Sequence, residues 1–321
     1  MSAAHPLHLI EAAYRLDVPQ ADWLLELART GARVFGAPSG GLAMLYDTTR
    51  GDWIHISDMQ VHELPPGLVN GLFNHPDMDR DTVLQMVRVF NGVVFGSYNA
   101  IALHFAPILK IAMDRFGVED LIMLNAIDPT GHGCMVTMPD RRGRKRSSSE
   151  VRTYRRLAAH IAAAGRLRRR IESLAKLGSP TDQAEAVLTP GGRVEHASGP
   201  ARTRAARSRL REALLRIDSA RSRRLTQEKS VAIWQALVAG RWSVVEHFEH
   251  DGKRYYLAHK NDPELTADRR LSARESQVLG YAGLGHSDKL IAYALGLSRS
   301  TVGTLLTRAR RKLGAAKTLV D

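Results

Sequence analysis

Cysteine is almost absent from this sequence of 321 residues, which contains only Cys134. A single thiol cannot close a disulfide within the chain, and this favours a reducing cytoplasm. No apolar run reaches the ~18 residues that a membrane-spanning helix needs, and no charged-then-apolar leader opens the chain. We therefore expect a cytoplasmic protein with no membrane partner.

Catalytic and cofactor motifs are also missing. The sequence has no Walker phosphate loop, no glycine-rich dinucleotide fingerprint after a strand and no GxSxG elbow. His132 and Cys134 lie near one predicted turn, but two ligand-type residues without a second pair fall short of a zinc site. The sequence therefore predicts no enzyme, no metal site and no cofactor.

Basic residues outnumber acidic ones after residue 140. Residues 1–140 contain 8 basic and 16 acidic side chains, whereas residues 141–176 contain 13 and 2. Residues 201–224 contain 9 and 2, residues 270–321 contain 9 and 3, and the whole chain has a net charge of +13. This asymmetry suggests a polyanion partner, most often nucleic acid, although solvated helix faces would produce the same counts.

The front of the chain has the pattern of a mixed α+β domain. Helical spacing of apolar residues and alternation of apolar with polar residues identify its elements. The predicted helices cover 21–35, parts of 64–91, 107–116 and about 149–175, and the predicted strands cover 41–47, 52–58, 92–98 and a hairpin at 119–140. Over about residues 15–175 this order resembles a GAF domain, a small-molecule sensor fold related to PAS.

The GAF resemblance implies a ligand pocket or a dimer face on the sheet, and an exit helix that passes a signal onward. The signal itself is unknown and is either a small molecule or a protein. Aromatic side chains are candidates for lining the pocket, and ordinary core packing is the alternative. These residues are Trp53, Phe90, Phe95, Tyr98 and Phe105.

The middle of the chain predicts a second small module. Two short strands in 184–198, a basic helix near 199–224, a helix around Trp234 and a hairpin at 241–262 suggest a PAS-like unit. The predicted domains are 1–176, 177–264 and 265–321. Two basic stretches, near 140–152 and 202–224, are open to two interpretations: phosphate-binding surfaces, or a loop and an amphipathic helix with solvated charges.

The C-terminal segment contains three signals for helix starts. Ser272 and Glu275 form a capping box, Ser287 and Ser298 can each cap a further helix, and Gly296 suits the end of the middle one. Three short helices with a tight turn before the last predict a helix-turn-helix. We expect Val278, Leu279 and Ala282 to form the buried stripe of the first helix.

The last helix separates its residues by angle. Leu305, Leu306, Ala309 and Leu313 fall on the side of Val302, so this side should face inward. The opposite side and its flanks carry hydroxyls and arginines, which can contact phosphates or base edges in a major groove. With the flanking cap residues, the expected DNA contacts are Lys289, Ser298, Arg299, Ser300, Thr301, Gly303, Thr304, Thr307, Arg308, Arg311 and Lys312.

Residues 271–314 resemble the LuxR-type (GerE-like) helix-turn-helix of bacterial transcription factors. The matching residues are Arg274, Glu275, Val278, Leu279, Gly285, Ser287, Lys289, Ile291, Ala292, Leu295, Gly296, Ser298, Thr301, Val302, Lys312, Leu313 and Gly314. The resemblance implies a four-helix unit whose third helix enters the major groove of double-stranded DNA, commonly as a homodimer under an N-terminal sensory domain. RNA polymerase is a further candidate partner.

Three positions depart from the LuxR-type pattern. The family commonly has a basic residue at Gly303, often a histidine at Leu305, and commonly a glutamate at Leu290. Gly303 puts base readout in doubt more than DNA binding itself. Two alternatives remain: the segment is also similar to region four of extracytoplasmic-function sigma factors, or it is an interaction module that no longer binds DNA. We expect a transcriptional regulator with a GAF/PAS-like front.

Overall fold

The structure is a computed structural model. It describes residues 4–37, 39–49, 54–73, 81, 84–85, 92–101, 107–174, 181–220, 226–234, 241–248, 254–265 and 268–314. The chain forms two compact units: residues 1–162 with 283–286, and residues 163–282 with 287–321. The division into three domains at 176 and 264 stays a prediction. Among the described residues, no helix is both long and apolar enough to span a bilayer.

The first unit is built on an antiparallel five-stranded sheet. Its strands are β1 (Gly41–Asp47), β2 (His55–His62), β3 (Phe95–Ser97), β4 (Asp120–Ile127) and β5 (His132–Asp140), in the order β2-β1-β5-β4-β3. Its helices are α1 (Leu7–Ala13), α2 (Gln20–Phe35), α3 (Leu68–Phe73), α4 (Tyr98–Ile101), α5 (Pro107–Arg115) and α6 (Ser148–Leu174), of which α6 continues past residue 162.

The central hairpin of this sheet is apolar on both faces. Every residue of β4 is buried, as are Gly133 to Pro139 of β5. On one face α2 approaches so closely that a Cβ on Gly31 would lie 2.9 Å from Cγ1 of Val136. On the other face the side chains of Met44, Met123 and Met135 belong to one apolar cluster. Layers therefore cover both sides of the hairpin, as its continuous apolar pattern requires.

The second unit contains a smaller antiparallel sheet and the C-terminal helices. Its strands are β6 (Ala186–Leu188), β7 (Val194–Ala197), β8 (Trp242–Phe248) and β9 (Arg254–Lys260), in the order β7-β6-β9-β8. Its helices, after the end of α6, are α7 (Arg204–Ala220), α8 (Gln227–Ile233), α9 (Ala273–Gly283), α10 (Asp288–Leu295) and α11 (Arg299–Gly314). The predicted α+β class with a C-terminal helical domain is confirmed.

Two predicted strands differ from the structure at their ends. The segment expected to be a strand over 92–98 pairs only from Phe95 to Ser97, because the chain turns into α4 at Tyr98. The strand expected over 52–58 runs instead from His55 to His62, where it pairs with β1 from end to end except at Ser57, which the register skips. Local alternation predicted both strands but could not locate their ends, which the pairing with β4 and β1 sets.

Candidate nucleic-acid interface

The predicted caps of the C-terminal helices are confirmed by their hydrogen bonds. At the start of α9 the Ser272 hydroxyl accepts from the Glu275 N–H at 3.3 Å, and Oε2 of Glu275 accepts from the Ser272 N–H at 2.8 Å. Ser287 accepts from the Leu290 N–H at the start of α10, which Gly296 ends with a φ of 62°. These reciprocal bonds satisfy backbone donors that a helix start leaves free.

Helix α11 begins on a small network of hydroxyl groups. The Ser298 hydroxyl accepts from the Thr301 N–H at 3.0 Å and lies 2.8 Å from Oγ of Ser300. The Thr304 hydroxyl donates to the Ser300 carbonyl at 3.0 Å, and the Thr307 hydroxyl donates to the Gly303 carbonyl at 2.9 Å. With their protons committed to the backbone, the two threonine oxygens are left to accept, for which exposed amino groups of bases are suitable donors.

The inward and outward sides of α11 divide largely as the angles predict. Val302 and Ala309 are fully buried and Leu306 is buried, whereas Leu305 and Leu313 are half-buried. In α9 the expectation was partly wrong, because Leu279 and Ala282 are only half-buried beside the buried Val278. The buried side of α9 includes polar residues instead, since Gln277 donates to the Pro263 carbonyl at 2.9 Å.

Most side chains expected to contact DNA are exposed. Gly303 is half-buried, and the exposed members are Lys289, Ser298, Arg299, Ser300, Thr301, Thr304, Thr307, Arg308, Arg311 and Lys312. Arg310 is also exposed but was not among the predicted contacts, because its angle places it near the buried stripe. A long arginine stem can lie along apolar surface with its guanidinium in water, so Arg310 joins the candidate set.

Lys312 has a partner inside the helical domain. Its Nζ lies 2.6 Å from Oε2 of Glu275, so the last turn of α11 is tied to the first turn of α9. The hydrogen bond from Lys312, followed by the N–H of Ser272, lowers the pKa of the Glu275 carboxyl to about 2. Lys312 thus holds two helices together in the structure, and its role as a DNA contact stays a prediction.

Helix α10 is buried from Leu290 to its end at Leu295. Residues 290–295 are all buried, which one contact face of a helix cannot account for. The Tyr293 hydroxyl donates to the Val231 carbonyl of α8 at 2.6 Å, and this bond is itself buried. Within the second unit α10 therefore packs on α8 as well as on α11, while the outward side of α11 stays open.

The predicted pocket residues are only partly described. Trp53, Phe90 and Phe105 lie outside the described residues. Phe95 pairs with Leu124 and stacks with Phe35 of α2 at a centroid distance of 6.0 Å. Tyr98 belongs to the methionine-containing cluster on the other face of the sheet, and its burial raises the pKa of its hydroxyl to about 12. The two described members thus lie on opposite faces, and a common pocket stays a prediction.

The cluster around Tyr98 contains a polar pair that sequence reasoning missed. The Tyr46 hydroxyl donates to Oδ1 of Asn125 at 2.5 Å, and Nδ2 of Asn125 donates to the Val93 carbonyl at 3.2 Å. The ring of Tyr46 packs directly on Gly133, where a Cβ would lie only 2.2 Å from Cζ of the tyrosine. Tyr46 and Asn125 are 79 residues apart, so only the strand pairing brings them together.

Part of the basic stretch near 140–152 makes contacts within the first unit. Asp140 forms ion pairs with Arg144 and Arg146, and the Arg146 guanidinium lies 5.7 Å from the ring centroid of Phe95. This part of the basic stretch near 140–152 therefore packs on its own unit. Cys134 is buried, and no group of metal-ligand residues occurs in the parts of the chain that the structure describes.

Comparison with known proteins identifies the C-terminal domain. Residues 269–320 match the family of bacterial regulatory proteins, luxR family, and a LuxR-type helix-turn-helix is therefore present there. No curated protein matches the chain. Two solved structures of Escherichia coli SdiA are similar to this chain, one in space group P6522 and one in complex with octanoyl-rac-glycerol. Each is 11% identical to this chain with a TM-score of 0.37, and each match covers 96% of this chain. The first match covers 90% of the SdiA chain and the second covers 88%.

Proposed function

We propose that the protein is a bacterial transcriptional regulator that binds double-stranded DNA through α9–α11. The observation that carries this proposal is the outward side of α11, where hydroxyl and guanidinium groups are exposed on a helix in a LuxR-type domain. Arg308 and Arg311 supply charge and forked donors for phosphates or guanine, and the threonines supply acceptors for base amino groups. The packing of α10 on α8 leaves this side accessible within its unit.

We further propose that the mixed α+β modules are GAF/PAS-like and act as the sensory region, in the cytoplasm. The apolar sheet face with Met44, Met123 and Met135 supports this, since methionine side chains adapt to differently shaped partners. The Tyr46 and Asn125 groups on that face could orient a bound small molecule. A signal there would favour one of two states of a homodimer whose recognition helices lie about 34 Å apart, matching successive major grooves.

DNA binding by the full chain tests the regulator proposal. A duplex is first selected from a random pool, and the anisotropy of labelled selected and shuffled duplexes is then followed across a salt series. We expect preferential binding of the selected duplex, with a log–log salt slope of several phosphates. Failure to bind any duplex above the shuffled one, even at low salt, would remove the proposal.

Two sets of variants assign the binding to α11. Arg308→Gln with Arg311→Gln should weaken binding to all duplexes and reduce the salt slope by about 2. Thr304→Val, which keeps the side-chain shape, should reduce the preference for the selected duplex and leave the slope unchanged. The matched control is Arg29→Gln with Arg254→Gln, because these half-buried arginines pair with Glu26 and Glu246 outside α9–α11.

A further inference from the structure

Helix α7 is amphipathic, with its buried stripe formed by apolar residues such as Leu210, Leu214 and Ile217. The helix packs through this stripe against neighbours that include α8 and β8. Its other side is strongly basic and exposed. The exposed arginines of α7 and the 3-10 turn before it are Arg202, Arg204, Arg207, Arg209, Arg211 and Arg216. The packing interpretation therefore explains one side of α7 and leaves the basic side to be explained.

Three of these arginines form a row. Arg204, Arg207 and Arg211 are three and four residues apart, a spacing that places them on the same flank of a helix. No carboxylate in the described chain forms an ion pair with any of the three. The side chain of Arg211 also contacts Gly192: its Cγ would lie 2.9 Å from a Cβ placed on that glycine. We call Arg204, Arg207 and Arg211 the α7 row.

The α7 row opposes the stability of its own helix. Arg204 lies in the first turn, near the positive end of the helix dipole, and this turn contains no acidic residue. Its neighbours in the row are like charges at i,i+3 and i,i+4 spacing, which repel. Solubility alone would be served by charges of both signs. Neither stability nor solubility therefore explains three like charges in a row, whereas binding to an external polyanion does.

The chemistry and spacing of the row fit a phosphate backbone. A guanidinium group presents a planar fork of donors that matches phosphate oxygens, which an ammonium group does not. From Arg204 to Arg211 the helix axis rises by about 10 Å, at 1.5 Å per residue. This length corresponds to roughly three base-pair steps along the axis of a duplex, where each strand has one phosphate per 3.4 Å.

The row belongs to the same compact unit as the recognition helix. Helix α7 packs on α8, and α8 accepts the hydroxyl of Tyr293 from α10. We propose that Arg204, Arg207 and Arg211 form a second DNA surface, which binds the phosphate backbone of the duplex that α11 reads. This inference rests on the proposed function.

The test replaces the three arginines in the full chain. Arg204→Gln, Arg207→Gln and Arg211→Gln together should weaken binding to the selected duplex by about tenfold or more and reduce its salt slope by about 2–3. The ratio of affinities for selected and shuffled duplexes should stay unchanged, because phosphate contacts do not carry base readout. The melting temperature should not fall, since the variant removes only exposed like charges.

A control variant separates the row from the general effect of net charge. The control combines Arg29→Gln, Lys110→Gln and Arg254→Gln, which also remove three positive charges. These side chains lie outside α7 and each pairs with a carboxylate. The affinity of this control for the selected duplex should stay within about twofold of the wild type, because salt screens charges that lie further from the DNA than about 10 Å. An equal loss in both triple variants would overturn the inference.

Other outcomes distinguish this inference from the proposed function. If the α11 arginine variants lose DNA binding and the α7 triple variant does not, the α7 surface is rejected and the regulator remains. If the wild type binds no duplex, both are rejected. If the α7 triple variant binds DNA normally but no longer binds anionic vesicles or core RNA polymerase, the row serves that partner and the inference is wrong.

Discussion

The glycine at position 303 decides how much of α11 can read DNA. A Cβ built on Gly303 meets no atom within 4 Å, so the position has open space and no packing need for glycine. Its place beside Thr304 and Thr307 on the outward side makes it a gap in the row of candidate contacts. The chain therefore has room for a side chain where the LuxR-type pattern commonly has a basic one.

Replacing Gly303 tests this gap. Gly303→Lys should strengthen binding to both selected and shuffled duplexes and increase the salt slope by about 1, because it adds one cation at the interface. Gly303→Ala is the matched control, and it should only stabilise the helix, by about 0.5–1 kcal/mol. Anisotropy titrations and thermal melts measure both effects. Weaker binding by both variants would show instead that the backbone approaches DNA closely at this position.

The helix caps could be predicted from neighbouring residues, whereas the partner of Lys312 could not. Ser272, Ser287 and Ser298 each bond within three residues, so the sequence alone contains both partners. The bond from Lys312 to Glu275 joins residues 37 apart and depends on how α11 packs on α9. From sequence alone, a basic residue at the end of a recognition helix is therefore predicted to contact DNA, and only the tertiary structure shows that it pairs with a carboxylate of the same domain.

The two sheets share a connection pattern that their sequences do not reveal. In each, the first strand pairs antiparallel with the second and with the last, and the last also pairs with the strand before it. Alternation and turn residues predicted the hairpins, but the central pairs β1·β5 and β6·β9 join strands distant in sequence. Strand content and hairpins are thus readable locally, while sheet order and the Tyr46–Asn125 pair follow from long-range pairing.

The packing of α10 on α8 gives a second prediction. Tyr293→Phe removes the donor to the buried Val231 carbonyl and should lower the free energy of unfolding of the second unit by about 1–3 kcal/mol. The matched control is Tyr255→Phe, because Tyr255 is only half-buried in β9 and should change stability by less than about 0.5 kcal/mol. Denaturant unfolding measures both variants. Equal stabilities would show that this bond does not hold α10 on α8.

The whole chain combines an acidic front with a basic back, and its two units also differ in the groups that respond to acid. In the first unit burial, and then the charge of Arg156, lowers the pKa of His160 to about 3. Its imidazole is therefore neutral in the folded chain but binds a proton below about 6.5 in the unfolded chain. The second unit contains Glu275, whose carboxyl has a pKa of about 2 in the folded chain. The stability that the ionised carboxylate contributes is therefore lost only as the pH falls below about 4.5.

These signs predict that acid destabilises the first unit at a higher pH than the second. Between about pH 6.5 and 4.5 the unfolded first unit binds additional protons at His160 and at His286, whose pKa burial lowers to about 4 in the folded chain. The free energy of unfolding of this unit therefore decreases, while Glu275 stays ionised in both states of the second unit. Urea unfolding across this range can be followed by fluorescence in Trp234→Phe with Trp242→Phe, which leaves tryptophans only in the first unit. His160→Gln should reduce the dependence of that signal on pH above 4.5, because only the contribution of His286 then remains, whereas Glu275→Gln, in the second unit, should leave this signal unchanged. A first-unit stability independent of pH in this range would mean that His160 and His286 each have the same protonation in the folded and unfolded states.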